Sequence, residues 1–475
     1  MKTTLSLTLV AATLAASGCA VGPDYKRPAP DLPVAWKLDA PWRTGAPADG
    51  ADKGAWWQAF GDAQLDALEV RAMADNPTSA IAAARLAQAR ATVTAQSAGL
   101  FPSLNLTSRD QRFRISSERP LANYASSNFS TVQNDFTLGV AASYEVDLAG
   151  RVSRSVEGAK ASAEQSAADL ANTRLVVSAE LASDWLSLVT LDASLDVLDH
   201  SIALQRRALG FVNSRHDLGA GTGLEVAQQQ ALLDNTLTQV DVQERQRAQF
   251  EHAIATLVGA PAPTFSLAPV RRDLQPPAIP LGLPSDLLQR RPDVASAERA
   301  MAAANAQIGV ATAAFYPSIV LAPTVGGESR LLSALFDAPS LVWSIGVSAT
   351  QTLFDAGRTR ANVDFAKAGY DVSVATYRRT VLVAMQEVED GITGVASLDR
   401  ATAQANVAVA SAQRVLDMSG ARYDGGVATY IDVITAQQSL LSAQLQAAQL
   451  AGQRQLVATA LVKALGGGWN VAPSR

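Results

Sequence analysis

The sequence predicts a mainly α-helical chain with a membrane β-barrel, arranged as a two-fold internal repeat. Long coiled helices are expected to form a helical barrel, and four strands per protomer to complete a trimeric twelve-stranded β-barrel. Three features predict this fold: landmarks that recur at constant offsets, long segments with heptad spacing, and short runs of alternating polarity. The chain is also rich in alanine, which favours helix, and only 6% of its residues are aromatic. The net charge of −5 does not favour a nucleic-acid partner, which needs a basic face.

The N-terminus predicts a secretory signal followed by a lipid anchor. Lys2 precedes a short apolar run, and small residues then lead into Cys19, as in a bacterial lipobox. Residues 1–18 are therefore predicted to be a signal peptide, and residues 19–61 a lipid-anchored N-terminal extension. Cys19 is the only cysteine of the chain, so it has no disulfide partner. The alternative is a plain signal peptide with an incidental thiol.

The landmarks of the internal repeat occur at two constant offsets. The proline landmarks recur 215 residues apart and the later ones 207 residues apart, which one eight-residue insertion or deletion explains. The predicted division is a first repeat (62–260), a Pro-rich linker (261–284), a second repeat (285–466) and a C-terminal tail (467–475). The landmark pairs are Pro77 and Pro292, Phe101-Pro102 and Tyr316-Pro317, Gly150-Arg151 and Gly357-Arg358, Gly219 and Gly426, Thr222 and Thr429, and Gly259 and Gly466.

Each repeat is predicted to contain one shorter helix and two long ones. Mostly apolar positions from Leu181 to Val212 alternate spacings of three and four, and the same register continues at offset 207 from Val388 to Tyr423. Such a period is typical of supercoiled helices that pack side by side. A helix of about 62 residues is on the order of 93 Å long, which suits a coiled stalk or a helical tube. The predicted helices are about 78–100, 153–215, 224–258, 293–315, 360–422 and 431–465.

Four short runs alternate between apolar and polar residues, which predicts strands with one apolar and one polar face. They lie around Leu104–Leu106, Phe136–Val146, Ile319–Val325 and Leu341–Ala349. Lipid tolerates no open sheet edge, so four strands require an oligomer in order to close. Two protomers would give eight strands with a filled interior, whereas three would give twelve strands with room for a passage. Loops at about 116–131 and 326–340 are then expected at the outer ends of the strands. The alternative to membrane strands is an ordinary soluble hairpin on a globular sheet.

Several motifs in order resemble one known family. They are Cys19 followed by Gly22-Pro23-Asp24-Tyr25, then Trp56-Trp57 with Phe60 and Asp62, and the doubled Phe-Pro or Tyr-Pro and Gly-Arg junctions. Together they resemble the TolC-like outer-membrane factors, specifically the NodT-type efflux lipoproteins. The resemblance implies a homotrimer that is lipid-anchored in the outer membrane, extends into the periplasm, and is the passive exit duct of a tripartite efflux system. The implied partners are outer-membrane lipid, a periplasmic adaptor protein and an inner-membrane resistance-nodulation-division pump that delivers drugs or other small toxic compounds.

The resemblance also implies a periplasmic gate formed by Glu225, Tyr423 and Asp432. A hydrogen bond between Tyr423 and the Glu225 carboxylate would hold the closed state, and three copies of Asp432 would form an acidic ring that prefers cations. Ala428 and Thr435 stand where some members carry an arginine and a second aspartate, so the lock and the ring are expected to be weaker. The alternative is that both carboxylates only favour the first turns of their helices.

The sequence predicts neither an enzyme nor a cofactor or metal site. It contains no catalytic constellation, and its three histidines lie at unrelated helical positions. Two other functions stay open at this point. One is the outlet of a one-step protein-secretion system, and the other is a lipid-anchored periplasmic coiled-coil scaffold without a pore.

Overall fold

The computed structural model describes residues 20–26, 54–114, 116, 132–270 and 291–467. Cys19, the predicted signal peptide and most of the N-terminal extension therefore lie outside the described residues. So do most of the first predicted loop, most of the Pro-rich linker and most of the C-terminal tail.

Seven α-helices and four β-strands occur in the described residues. A short 3-10 helix, Trp56–Phe60, precedes them. In chain order they are α1 (Ala63–Asp75), α2 (Pro77–Ala98), β1 (Ser103–Arg114), β2 (Val132–Val146), α3 (Arg151–Asp217), α4 (Gly223–Leu257), α5 (Pro292–Ala313), β3 (Ser318–Ser329), β4 (Leu341–Thr350), α6 (Arg358–Asp424) and α7 (Tyr430–Ala464).

The two halves of the chain have matching elements. Helices α3 and α6 each have 67 residues, α4 and α7 each have 35, and α2 and α5 each have 22. The six predicted helices agree with these bounds to within two residues. Helix α1 was not predicted. Its N-cap is Asp62, whose carboxylate accepts hydrogen bonds from the backbone N–H groups of Gln64 and Leu65.

The chain divides into two compact units. One, which we call the strand unit, contains residues 1–28, 86–166 and 297–377, and therefore the whole sheet. The other, which we call the helix unit, contains residues 29–85, 167–296 and 378–475. The long helices α3 and α6 each contribute residues to both units.

The sheet of the strand unit is antiparallel, with strand order β1-β2-β3-β4. Its register brings the apolar positions of neighbouring strands together, as in the row Leu106, Val140, Val325 and Trp343. The opposite face is polar, and there the hydroxyls of Thr324 and Ser344 lie 2.8 Å apart. The alternation predicted from sequence is therefore confirmed as one apolar and one polar face.

Strand β3 is longer than predicted, because it includes Gly326 and Gly327, which belong to the second predicted loop. Both pair with β2 on one side and with β4 on the other. A Cβ atom at Gly326 would lie 2.6 Å from the Cα atom of Gly139 on β2. Glycine is thus required here by a close approach of two strands and does not mark a turn. The actual connection, residues 330–340, contains two 3-10 turns.

The core of the helix unit forms where α1, α3, α6 and α7 supply apolar residues. Trp185 is fully buried, and its indole N–H donates a 2.8 Å hydrogen bond to the Asp62 carboxylate. The predicted heptad positions from Leu181 to Val212 and from Val388 to Tyr423 are all buried or half-buried. Among the described residues, we find no helix that is both long enough and apolar enough to cross a membrane.

Residues 20–26 are attached to the strand unit. The Val21 N–H donates to the carbonyl of Ala149, and the guanidinium of Arg154 donates to the Asp24 carboxylate at 2.8 Å. Asn305 donates to the carbonyl of Pro23, also at 2.8 Å. This segment therefore follows the junction between β2 and α3, at the end of the sheet that joins the helices.

Candidate functional site

Two helix-helix turns with the same backbone structure form the candidate site in the helix unit. After α3, Gly219 has φ 73°, and the N–H groups of residues 219 and 220 bond the carbonyls of residues 216 and 215. After α6, Gly426 has φ 70°, and the corresponding N–H groups bond the carbonyls of residues 423 and 422. Glycine accommodates this left-handed conformation without a Cβ penalty. The predicted glycine turns are therefore confirmed, and both have the Schellman geometry.

Each following helix begins with a threonine and a carboxylate that cap it. The Thr222 N–H donates to the Glu225 carboxylate at 3.0 Å, and the Glu225 N–H donates to the Thr222 hydroxyl at 3.3 Å. In the second repeat, the N–H and the hydroxyl of Thr429 each donate to the Asp432 carboxylate at 3.0 Å. Both carboxylates satisfy helix N-terminal donors, which stabilises the start of α4 and of α7. Glu225 is half-buried and Asp432 is exposed.

An aromatic pair distinguishes the second turn from the first. The rings of Tyr423 and Tyr430 lie 5.0 Å apart between centroids, at positions where the first repeat has His216 and Gly223. The Arg215 guanidinium carbon lies 4.8 Å from the Tyr423 ring centroid, which is a cation–π contact between the two turns. Beneath the tyrosines lie the apolar side chains of Val212, Leu232, Val433 and Ile434.

The two tyrosine hydroxyls have different environments. The Tyr430 hydroxyl donates a 2.7 Å hydrogen bond to the side-chain oxygen of buried Gln229, whose amide donates to the Gln205 carbonyl at 3.2 Å. The Tyr423 hydroxyl is buried without a hydrogen-bond partner among the described residues. Tyr430 is therefore anchored within the protomer, whereas Tyr423 retains a donor for another group.

Burial raises the pKa values of both tyrosines. The pKa of Tyr430 rises to about 12, chiefly through loss of solvation and to a smaller degree through the nearby Tyr423 and Glu225 groups. The pKa of Tyr423 is raised by burial and then by the negative charge of Glu225. Both hydroxyls therefore remain protonated at neutral pH and act as hydrogen-bond donors.

The structure brings two of the three predicted gate residues together. Glu225 lies close enough to Tyr423 to affect its pKa, although the Tyr423 hydroxyl forms no hydrogen bond in the described part of the chain. Asp432 lies in the first turn of α7, two residues after Tyr430, and is exposed. Sequence reasoning missed Arg215, Tyr430 and Gln229. Only the substitution of Tyr430 for the glycine of the first repeat could have indicated its importance.

The second candidate feature is the sheet of the strand unit. Its apolar face is exposed on the single chain: Trp343 has 69% and Ile345 has 74% of its surface accessible. Strands β1 and β4 lie at the edges of the sheet, and each pairs with only one other strand in the described part of the protomer. No group of His, Cys, Asp and Glu side chains in the described ranges could hold a metal ion. An amphipathic sheet with open edges, joined to long paired helices, defines a protomer of an oligomeric membrane channel.

Comparisons with known proteins agree with this class. The family described as outer membrane efflux protein matches residues 68–260 and 283–467. The pyoverdine export outer membrane protein OpmQ of Pseudomonas aeruginosa is 31% identical over 466 residues, covering 98% of this chain and 97% of OpmQ. Outer membrane protein OprJ of the same species is 32% identical over 472 residues, covering 98% and 96%.

The structure of the outer-membrane channel OprN superimposes with a TM-score of 0.85 at 28% identity, covering 95% of this chain and 100% of OprN. The chain therefore belongs to the outer membrane efflux protein family, and its fold is that of the TolC-like trimeric channels. It is an outer-membrane efflux channel protein, which agrees with the predicted fold class, the predicted efflux function and the predicted outer-membrane location. This assignment favours the efflux channel over the secretion outlet and the scaffold.

Proposed function

We propose that three copies of this chain form the passive exit duct of a tripartite efflux system. The observation that carries the proposal is the amphipathic sheet, whose apolar face is exposed and whose edge strands, β1 and β4, each pair with a single strand among the described residues. In a bilayer, backbone groups at an open edge would lack hydrogen-bond partners. Pairing of β1 with β4 of the next copy satisfies both edges, and three copies give a twelve-stranded barrel wide enough for a passage.

The proposed partners are an inner-membrane resistance-nodulation-division pump and a periplasmic adaptor protein. A passive duct has no energy source of its own, so the pump must drive transport and select the cargo. We propose drugs or other small toxic compounds as that cargo. OpmQ is named for the export of pyoverdine, which supports a small-molecule cargo but does not identify it.

We also propose that Cys19 is acylated and anchors the chain in the outer membrane. The proposal is supported by residues 20–26, which follow Cys19 and are attached to the strand unit. A Cβ atom on Gly150 would lie 2.6 Å from the Cα atom of Ala20, so the segment runs tightly past the end of β2. An acyl chain on Cys19 would then enter the membrane beside the sheet. Replacement of Cys19 by Ser should abolish labelling by radioactive palmitate, and persistent labelling would contradict the proposal.

The proposed gate consists of Glu225, Tyr423 and Asp432 at the two helix turns. The unpaired Tyr423 hydroxyl can donate to Glu225 after a small side-chain movement, which would hold the closed state. Three exposed copies of Asp432 around the trimer axis would favour cations over anions. Glu225 can cap its helix and also accept from Tyr423, because a carboxylate has two oxygens. Asp432 can likewise cap its helix and contribute its charge to the ring.

Planar bilayer recordings of the purified trimer test the duct. We expect discrete conductance steps with cation preference, and silence from a well-folded trimer would contradict the proposal. Asp432→Asn should lower the cation-to-anion permeability ratio while retaining the capping-box contact, because the side-chain oxygen of asparagine can still accept from the Thr429 N–H. Asp424→Asn, at the end of α6, is the matched control. An equal change in both variants would indicate a general charge effect and remove the ring from the proposal.

A further inference from the structure

The hairpin of β1 and β2 extends beyond the other two strands at the end of the sheet that lies away from the helices. Strand β3 ends at Ser329, which pairs with Phe136 on β2. The pairing of β1 with β2 continues for four further residues on each strand, up to Arg114 opposite Val132. This extension includes Arg112 and Arg114.

Both arginines are on the apolar face of the sheet. Side chains on a strand alternate between the two faces, so Arg112 and Arg114 share a face with Leu104 and Leu106. The continuous apolar band of that face ends at Phe136 on the neighbouring strand, which is opposite Asp110, and beyond it only Val132, opposite Arg114, is apolar. The two arginines therefore come directly after the band, where the lipid headgroups of a bilayer begin.

A third arginine on the same strand provides the contrast. Arg109 is on the polar face and lies 3.5 Å from the Asp135 carboxylate, which also accepts a 3.4 Å hydrogen bond from Gln111. Arg112 is exposed and forms no ion pair with any residue that the structure describes. Asp110 is the one acidic side chain near it on that face of β1, so the arginine pair leaves the face with a net positive charge.

We infer that Arg112 and Arg114 bind the phosphate groups of lipopolysaccharide in the outer leaflet of the outer membrane. The inference rests on the proposed function, because that function directs this end of the sheet outward. Guanidinium groups bind phosphate through paired hydrogen bonds, and basic residues next to a membrane bind anionic lipid. Residues two apart on a strand are separated by about 7 Å, so both side chains can contact one phosphorylated disaccharide headgroup. Asn134 lies opposite Arg112 and offers a further amide donor.

The test is lipid binding to the purified, full-length trimer. The trimer is delipidated in detergent with a chelator present, and rough lipopolysaccharide is then titrated while bound lipid is counted by native mass spectrometry. We expect R112Q/R114Q to bind at least tenfold more weakly than the unmodified trimer. R109Q is the matched control, because it removes the same charge from the polar face of the same strand, and it should bind normally.

A change in the lipid provides a test that needs no variant. The unmodified trimer should bind lipopolysaccharide with a dephosphorylated lipid A at least tenfold more weakly, and R112K/R114K should retain part of the affinity. Equal binding to both lipids, equal losses in R109Q and R112Q/R114Q, or equally tight binding of phosphatidylglycerol would overturn the inference. Bilayer conductance of R112Q/R114Q separates this outcome from a failure of the duct itself, because the duct proposal requires conductance whichever lipid binds.

Discussion

Arg215 lies over the ring of Tyr423 and links the turn after α3 to the turn after α6. Its guanidinium also donates a 3.0 Å hydrogen bond to the carbonyl of Ala220, so the side chain supports its own turn as well. Tyr423 is thereby held with its hydroxyl buried and close to Glu225. The contact lies within one protomer, so changes to it report on the gate without first requiring a change in trimer assembly.

Replacement of Tyr423 by Phe should raise the conductance and open probability of the channel. The substitution removes one buried hydroxyl that has no hydrogen-bond partner among the described residues, so it should not destabilise the protomer. If that hydroxyl stabilises the closed state, its loss shifts the equilibrium toward the open state. Single-channel recording measures the shift.

The matched control is Tyr430→Phe. Its hydroxyl bonds buried Gln229 at 2.7 Å, so its removal should destabilise the protomer by about 1–3 kcal/mol while leaving the latch in place. A similar conductance gain in both variants would indicate general loosening of the turns and would contradict a specific role for Tyr423.

Replacement of Ile345 by Arg should prevent stable insertion of the trimer. Ile345 is on the apolar face of β4, and an arginine at the bilayer midplane of a barrel costs about 2–4 kcal/mol per strand. Three copies multiply that cost. The measurement is the fraction of heat-modifiable trimer in outer-membrane extracts. Ser344→Arg is the control, because Ser344 belongs to the polar face, and trimer levels there should be close to normal.

The sequence predicted those elements whose periodicity was visible, and it missed features that depend on contacts in space. Apolar alternation revealed β2 and β4, but in the outer half of β1, from Arg109 to Arg114, every residue except Phe113 is polar or charged, so no such pattern was visible. Helix α1 was missed because it lies before the first repeat landmark. Its position follows from the core, where Asp62 bonds Trp185 of α3.

The candidate site was predictable in part for the same reason. The repeat offset aligned Glu225 with Asp432 and both glycine turns, since these depend on local backbone structure. The contact between Arg215 and Tyr423 joins residues more than 200 positions apart, so no local pattern could indicate it. The bond between Tyr430 and Gln229 is of the same kind.

Replacement of Glu69 by Gln should flatten the pH dependence of stability. Glu69 is fully buried on α1, and burial raises its pKa from 4.5 to about 9. Below pH 4.5 the carboxyl group is protonated in both states, so no ionisation penalty arises. Between pH 4.5 and about 9 only the unfolded state loses the proton, and stability falls by up to about 1.4 kcal/mol per pH unit.

A glutamine side chain cannot ionise, so thermal unfolding at pH 5 and pH 8 should differ less in the variant. An unchanged difference would mean that Glu69 is already ionised in the folded protein.

Replacement of Gly452 by Ala should destabilise the helix unit, because α7 packs there directly against α3. A Cβ atom at Gly452 would overlap the hydroxyl oxygen and the methyl carbon of Thr190, and it would lie 2.8 Å from the Cβ atom of that residue. Overpacking of this kind typically costs about 1–3 kcal/mol, since the helices must move apart.

Gly210→Ala in α3 is the control. A Cβ atom there meets no atom within 4 Å, and alanine should stabilise the helix by about 0.5–1 kcal/mol. Thermal unfolding of the trimer in detergent should therefore shift in opposite directions for the two variants. If Gly452→Ala unfolds at the normal temperature while Gly210→Ala is stabilised, then α3 and α7 are farther apart in the assembled channel than in the single protomer.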